Sequence, residues 1–82
     1  MVTIRLDKLF RKKFDKIKDN ILAIQIKKQI KKIIENPGIG KPMRYGRKGT
    51  REVYTKPFRL SYVFLPYENK ITFIDLYHKK RQ

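Results

Sequence analysis

Val2, Ile4 and Leu6 alternate with Thr3 and Arg5, the period of a half-buried β-strand. Asp7 follows as an N-cap. Leu6, Leu9, Phe10, Phe14, Ile17 and Ile21 then recur at spacings of three and four. They form one stripe of an amphipathic helix whose other face carries Lys8, Arg11, Lys12, Lys16 and Lys18. Asp19-Asn20 breaks this helix. A second is predicted over 21–35, with Leu22, Ala23, Ile26, Ile30, Ile33 and Ile34 on one face and Lys27, Lys28, Lys31 and Lys32 largely off it. Ile24 does not fit the stripe. Asn36-Pro37-Gly38 ends the second helix, because proline lacks an amide donor and its neighbours tolerate turn dihedrals.

Segment 38–49 is glycine-rich and without a clear period, so it reads as a loop or a frayed strand. Its charge is all positive: Lys41, Arg44, Arg47 and Lys48. Three strands follow over 50–56, 58–66 and 71–77, with Lys56-Pro57 and Tyr67-Glu68-Asn69-Lys70 as turns. The order is β-α-α-β-β-β in a single domain over 1–82. That order predicts an α+β fold, an antiparallel sheet with two helices packed on one face.

Strand alternation sorts the side chains by face. Between 58 and 66, Phe58, Leu60, Tyr62 and Phe64 form an all-apolar side that must be core, so Arg59 points to the opposite, open face. Val53 inward sends Glu52, Tyr54 and Lys56 outward with Arg59. In the last strand a buried unpaired Asp75 is costly, which favours Thr72, Ile74 and Leu76 inward. Phe73, Asp75, Tyr77 and Lys79 then join the open face, and His78 falls on the other side.

Twenty-two Lys and Arg against seven Asp and Glu give +15 in 82 residues. An excess of one sign points to a polyanion or an acidic protein as partner. There is no cysteine, which excludes a disulfide framework and suits a reducing cytoplasm. One histidine and seven scattered carboxylates show no metal-ligand spacing, so neither a metal site nor a cofactor is expected. The longest apolar run, 21–24, is four residues, far below the span of about 20 that crosses a bilayer. No membrane association and no signal peptide are expected, and the protein is placed in the cytoplasm.

Arginine, lysine, tyrosine and one carboxylate on a common face suit metal-independent RNA cleavage. The 2′-hydroxyl attacks its own phosphate, which needs a base, cations on the phosphorane and an acid on the leaving 5′-oxygen. Arg59 is the candidate phosphate clamp, a bidentate role that lysine cannot fill. Glu52 is the carboxylate available as base, and either Tyr77 or Lys79 is the candidate acid. Arg51 and His78 complete the candidate catalytic set, with cross-strand ion pairing the alternative role for Arg51 and Glu52. Lys41, Arg44, Arg47, Lys48, Lys80 and Arg81 are the candidate RNA-binding cations.

Gly49-x-Arg51-Glu52-Val53 followed by Phe58-Arg59-Leu60-x-Tyr62 resembles the RelE/ParE superfamily of toxin–antitoxin toxins. Gly40-Lys41-Pro42-Met43 is similar to its loop after the second helix, and Ile74 to Lys80 to its closing strand and basic tail. The resemblance spans essentially the whole chain. It implies a toxin that enters the ribosomal A site and cuts mRNA, restrained by an acidic RelB-like antitoxin. By position Arg59 matches the family's catalytic arginine and Lys79 a second cation, while Thr50 and Glu52 stand where some RelE toxins carry lysines. Tyr77-His78 resembles the ending of a branch of ribosome-dependent nucleases with a functional histidine. No tyrosine follows Lys79, where many RelE toxins carry one. Two alternatives remain: a ParE-like toxin that poisons DNA gyrase without catalysis, and a basic nucleic-acid-binding module.

Overall fold

The computed structural model describes residues 2–42 and 49–78. Strand β1 (Thr3–Leu6) leads into helix α1 (Lys8–Asp15) and helix α2 (Asn20–Glu35). A 3-10 turn (Pro37–Ile39) then precedes β2 (Lys41–Pro42), β3 (Thr50–Thr55), β4 (Phe58–Leu65) and β5 (Lys70–His78). The sheet order is β1-β5-β4-β3-β2. The fold is α+β, two helices packed on a five-stranded sheet. Among the described residues no helix is long and apolar enough to cross a membrane.

Local sequence explains the helix ends. Asp7 caps α1 by accepting from Lys8 N, and Lys12 and Lys13 sit in its last turn, where cations complement the helix dipole. Asp19 caps α2, accepting from Ile21 N at 2.9 Å and Leu22 N at 3.3 Å. The expected first helix is thus shorter, ending at Asp15, and Asp19-Asn20 starts the second one. Of the first stripe, Phe10 is buried and Phe14 and Ile17 pack against the core, whereas Leu6, Leu9 and Ile21 are exposed. Ile26 and Ile33 are fully buried, with Leu22 and Ile30 beside them, and Ile24 is exposed as its position off the stripe requires.

In the sheet, three features depart from the sequence reading. The sheet is mixed: β1 runs parallel to β5, pairing Ile4 with Ile71 and Leu6 with Phe73. A parallel pair needs a long crossover, and the helices with β2 to β4 supply it. As an edge strand β1 leaves Ile4 and Leu6 exposed instead of half-buried. The segment read as a loop or frayed strand contributes the short β2, whose Lys41 and Pro42 pair with Glu52 and Arg51. Proline is tolerated at such an edge.

The third departure is a register shift in the β4–β5 pair. Tyr62 pairs with Phe73 but Ser61 pairs with Asp75, so Ile74 is an extra residue on β5. One inserted residue reverses the alternation on either side of it. Ile71 and Phe73 therefore turn inward before the bulge and Leu76 after it. The outward placement of Phe73 is overturned: it is fully buried, and its ring completes a run from Phe14 through Phe10 and Phe73 to Tyr62 with centroids 5.8–6.1 Å apart. Beyond the bulge Asp75 pairs across the sheet with Ser61, and its Oδ1 lies 2.7 Å from Lys13 Nζ of α1. Tyr77, beyond the bulge, keeps its expected side.

Candidate functional site

The hairpin of β3 and β4 and the end of β5 carry the site. Cross-strand register places Tyr54 opposite Arg59 and Arg59 opposite Tyr77, all on the face away from Leu60, Leu76 and Val53. Glu52 shares that face, two residues before Tyr54. The side chains converge on its carboxylate. Arg59 Nη1 donates to Glu52 Oε1 at 2.8 Å, and the Tyr77 hydroxyl donates to Glu52 Oε2 at 2.7 Å. Arg59 and Glu52 side chains are only 28% and 21% exposed, so this pair is less screened than an ordinary surface ion pair.

Tyr77 is held protonated beyond the usual tyrosine range. Burial against the sheet is the main cause, and the bond to the Glu52 carboxylate together with its negative charge acts in the same sense, partly offset by Arg59. A hollow of about 340 Å³ opens here, lined by Ile39, Lys41, Glu52, Val53, Tyr54 and Arg59. Lys41 reaches it because β2 pairs it directly with Glu52. The arrangement offers a guanidinium, an ammonium and a phenol around one carboxylate, the elements of an anion-binding site with a proton acceptor at its centre.

Two catalytic candidates are not brought to this cluster. Arg51 faces the other way, and its Nη1 donates to Gly40 O at 2.7 Å and Gly38 O at 3.4 Å. It fastens the turn before β2. His78 pairs with Phe58 across β4 and β5 and meets its ring edge-on at 5.6 Å. It lies on the helical side, as strand parity predicts, in a groove of about 570 Å³ that Ile17, Leu22, Phe58, Leu76 and Tyr77 also line. Lys79, Arg44, Arg47, Lys48, Lys80 and Arg81 lie outside the described residues. Among the described residues no group of three or more His, Asp or Glu could hold a metal ion.

Sequence reasoning missed the part played by Tyr62. Its hydroxyl donates to Pro37 O at 2.6 Å and accepts from Gly40 N at 3.0 Å, so the core tyrosine ties the 3-10 turn to β4 and sets the start of β2. The signal was present in Gly40. A side chain there would meet Tyr62 Oη at 2.6 Å, Tyr62 Cε1 at 2.8 Å and Arg51 Cβ at 3.0 Å. Ile39, which edges the hollow, carried no comparable signal.

Residues 4–82 match the family described as the ParE toxin of type II toxin–antitoxin systems, parDE. No match was found among curated protein sequences. The chain is similar to the solved toxin in the intact Escherichia coli RelBE toxin–antitoxin complex, with TM-score 0.83 and 18% identity over 99% of this chain and 100% of that one. A RelBE toxin–antitoxin complex of Mycobacterium tuberculosis is similar at TM-score 0.79 and 23% identity over 95% and 98% of the two chains. The archaeal RelE–RelB complex of Pyrococcus horikoshii is similar at TM-score 0.76 and 11% identity over 99% and 98%. At these identities the structural likeness carries the fold.

Proposed function

Because the chain belongs to the ParE toxin family of type II toxin–antitoxin systems, within the RelE/ParE superfamily, we propose that this toxin is a metal-independent endoribonuclease that cuts mRNA in the ribosomal A site. The observation that carries the reading is the half-buried Arg59, already gripping one anion, the Glu52 carboxylate, beside a hollow that Lys41 also lines. A phosphodiester presents the same planar pair of acceptors to a guanidinium.

In the reaction the 2′-oxygen forms a bond to phosphorus and the bond from phosphorus to the 5′-oxygen breaks. The products are a 2′,3′-cyclic phosphate and a free 5′-hydroxyl. Arg59 stabilises the charge that builds on the phosphorane. Glu52 takes the 2′-hydroxyl proton, and Tyr77 or Lys79 protonates the leaving oxygen. Tyr77, held protonated, is a slow acid, so the rate depends on the ribosome aligning the 2′-oxygen with the phosphate. The +15 charge supports docking on ribosomal RNA. It also supports an acidic antitoxin of the RelB type, the partner with which the similar toxins of E. coli, M. tuberculosis and P. horikoshii were solved. The site of action is the cytoplasm.

The family description itself, parDE, favours a second reading in which the protein poisons DNA gyrase by binding alone. A pure binding surface has no need of the Arg59–Glu52–Tyr77 arrangement, which is why the nuclease is preferred. Purified protein incubated with ribosomes programmed to leave the A site empty should give discrete primer-extension stops within A-site codons, and naked message should stay intact. Equal cutting of naked and ribosome-bound message would refute ribosome dependence, and no cutting of either would refute the nuclease.

A further inference from the structure

A guanidinium that donates from Nη1 to a carboxylate must give up that bond before the same nitrogen can join a two-armed grip on a phosphate. Arg59 Nη1 is 2.8 Å from Glu52 Oε1, and Glu52 Oε2 accepts from the Tyr77 hydroxyl at 2.7 Å. Both carboxylate oxygens are thus engaged in the resting protein. Of the other acids, Asp7 and Asp19 cap helices and Asp75 pairs with Lys13. Glu52 is different, a half-buried carboxylate seated in the hollow that the substrate must enter. In a chain of +15, where cations attract phosphates indiscriminately, it opposes anion binding at one point, the clamp.

We infer that Glu52 is a latch on Arg59 that the scissile phosphate must displace, and that this displacement frees Oε1 to take the 2′-hydroxyl proton. The inference rests on the endonuclease reading and adds the order of events. The phosphodiester takes Arg59 Nη1 from Oε1, Oε1 swings free, and the Tyr77 hydroxyl keeps hold of Oε2, so the carboxylate pivots about a fixed point. Of the two roles open to Tyr77 this selects the positioning one, acting through Glu52, and leaves Lys79 as the candidate that protonates the departing oxygen. A free phosphate, lacking the contacts that the ribosome and message supply, competes poorly with a carboxylate tethered at close range. The latch therefore keeps the clamp from idle phosphates and couples availability of the base to correctly placed substrate.

Binding of inorganic phosphate, followed by calorimetry or by ³¹P resonance broadening, tests the latch without ribosomes or cleavage. Glu52→Gln is nearly isosteric and removes the charge. It should tighten phosphate binding about tenfold, the scale of one charge-assisted hydrogen bond released to the ligand. The gain should vanish when Arg59→Ala is added. Unchanged affinity in Glu52→Gln, or a gain that survives without Arg59, would overturn the latch. On programmed ribosomes Glu52→Gln should lower KM yet depress kcat by about a hundredfold. Tyr77→Phe should lower kcat with a 5′-oxygen and with a 5′-thio leaving group alike, because thiolate departure needs no acid. Rescue of Tyr77→Phe by the thio substrate would overturn the positioning role. Absence of any cleavage by the unmodified protein would defeat the endonuclease reading, and the phosphate measurements would still decide the latch.

Discussion

The hydroxyl of Tyr62 occupies the space that a side chain on residue 40 would need, 3.0 Å from Gly40 N, with Pro37 O accepting its proton at 2.6 Å. Gly40→Ala sets a methyl group 2.6 Å from that oxygen. It should cost about 1–3 kcal/mol in urea denaturation, the range of an overpacked core. Tyr62→Phe should cost about 1–3 kcal/mol by leaving Pro37 O and Gly40 N without their buried partner. Combined, the two should cost less than their sum, because removing the hydroxyl relieves the closest of these contacts, leaving the one to Tyr62 Cε1 at 2.8 Å. Strict additivity would show that the contact is not the cause.

Alkaline titration follows from the two perturbed tyrosines. Burial raises both Tyr62 and Tyr77 above the ordinary value of 10.0, and the Glu52 carboxylate adds to the rise at Tyr77. A proton bound more tightly in the folded state adds stability that is complete below pH 10.0 and lost as pH climbs through the raised values. Phenolate absorbance should therefore show two tyrosines ionising late, together with unfolding. Tyr77→Phe should flatten the loss of stability above pH 10.0, and an unchanged slope would contradict the assignment.

The Lys13–Asp75 pair tests how firmly α1 is tied to β5. Its side chains are 37% and 30% exposed despite the 2.7 Å contact. Lys13→Ala should cost below about 1 kcal/mol in thermal unfolding, as half-exposed pairs do. A much larger loss would mean that the lysine stem, and not the charge, holds the helix.

Much of this architecture was legible because periodicity is local. The stripe of the second helix, the hairpin parity and the N-cap of Asp7 all follow from spacing along one segment, and with them the outward position of Arg59, Glu52 and Tyr77. Relations between distant segments were not legible. The parallel pairing of β1 depends on where the chain returns after the whole crossover, and no residue within 3–6 encodes that. The bulge at Ile74 arises from the fit between β4 and β5, so Phe73 was assigned by an alternation that does not persist through the strand. Alternation already sets Arg51 on the side of Val53 and opposite Arg59, but the Gly38–Gly40 backbone that it meets there belongs to a distant segment and was not legible.

Arg59 variants grade the clamp. Arg59→Ala should reduce cleavage by about 10²–10³-fold, the usual loss on removing a transition-state donor. Arg59→Lys should recover only part, since an ammonium cannot bind two phosphate oxygens in a fork. The exposed helix residues Lys27 and Lys28 serve as charge controls, and their alanine variants should cleave like the unmodified protein. Equal losses at all these sites would reduce Arg59 to bulk electrostatics.

RNA cleavage by the open sheet face and gyrase poisoning leave different marks in the cell. Inducing the toxin in cells, with Arg59→Ala beside it, and mapping new 5′ ends on message while scoring chromosomal double-strand breaks in the same culture tests for that cleavage most directly. New ends within translated codons, intact DNA and unimpaired growth in the Arg59→Ala culture are the predicted result. Intact message with accumulating DNA breaks, or full growth arrest from soluble Arg59→Ala protein, would contradict it.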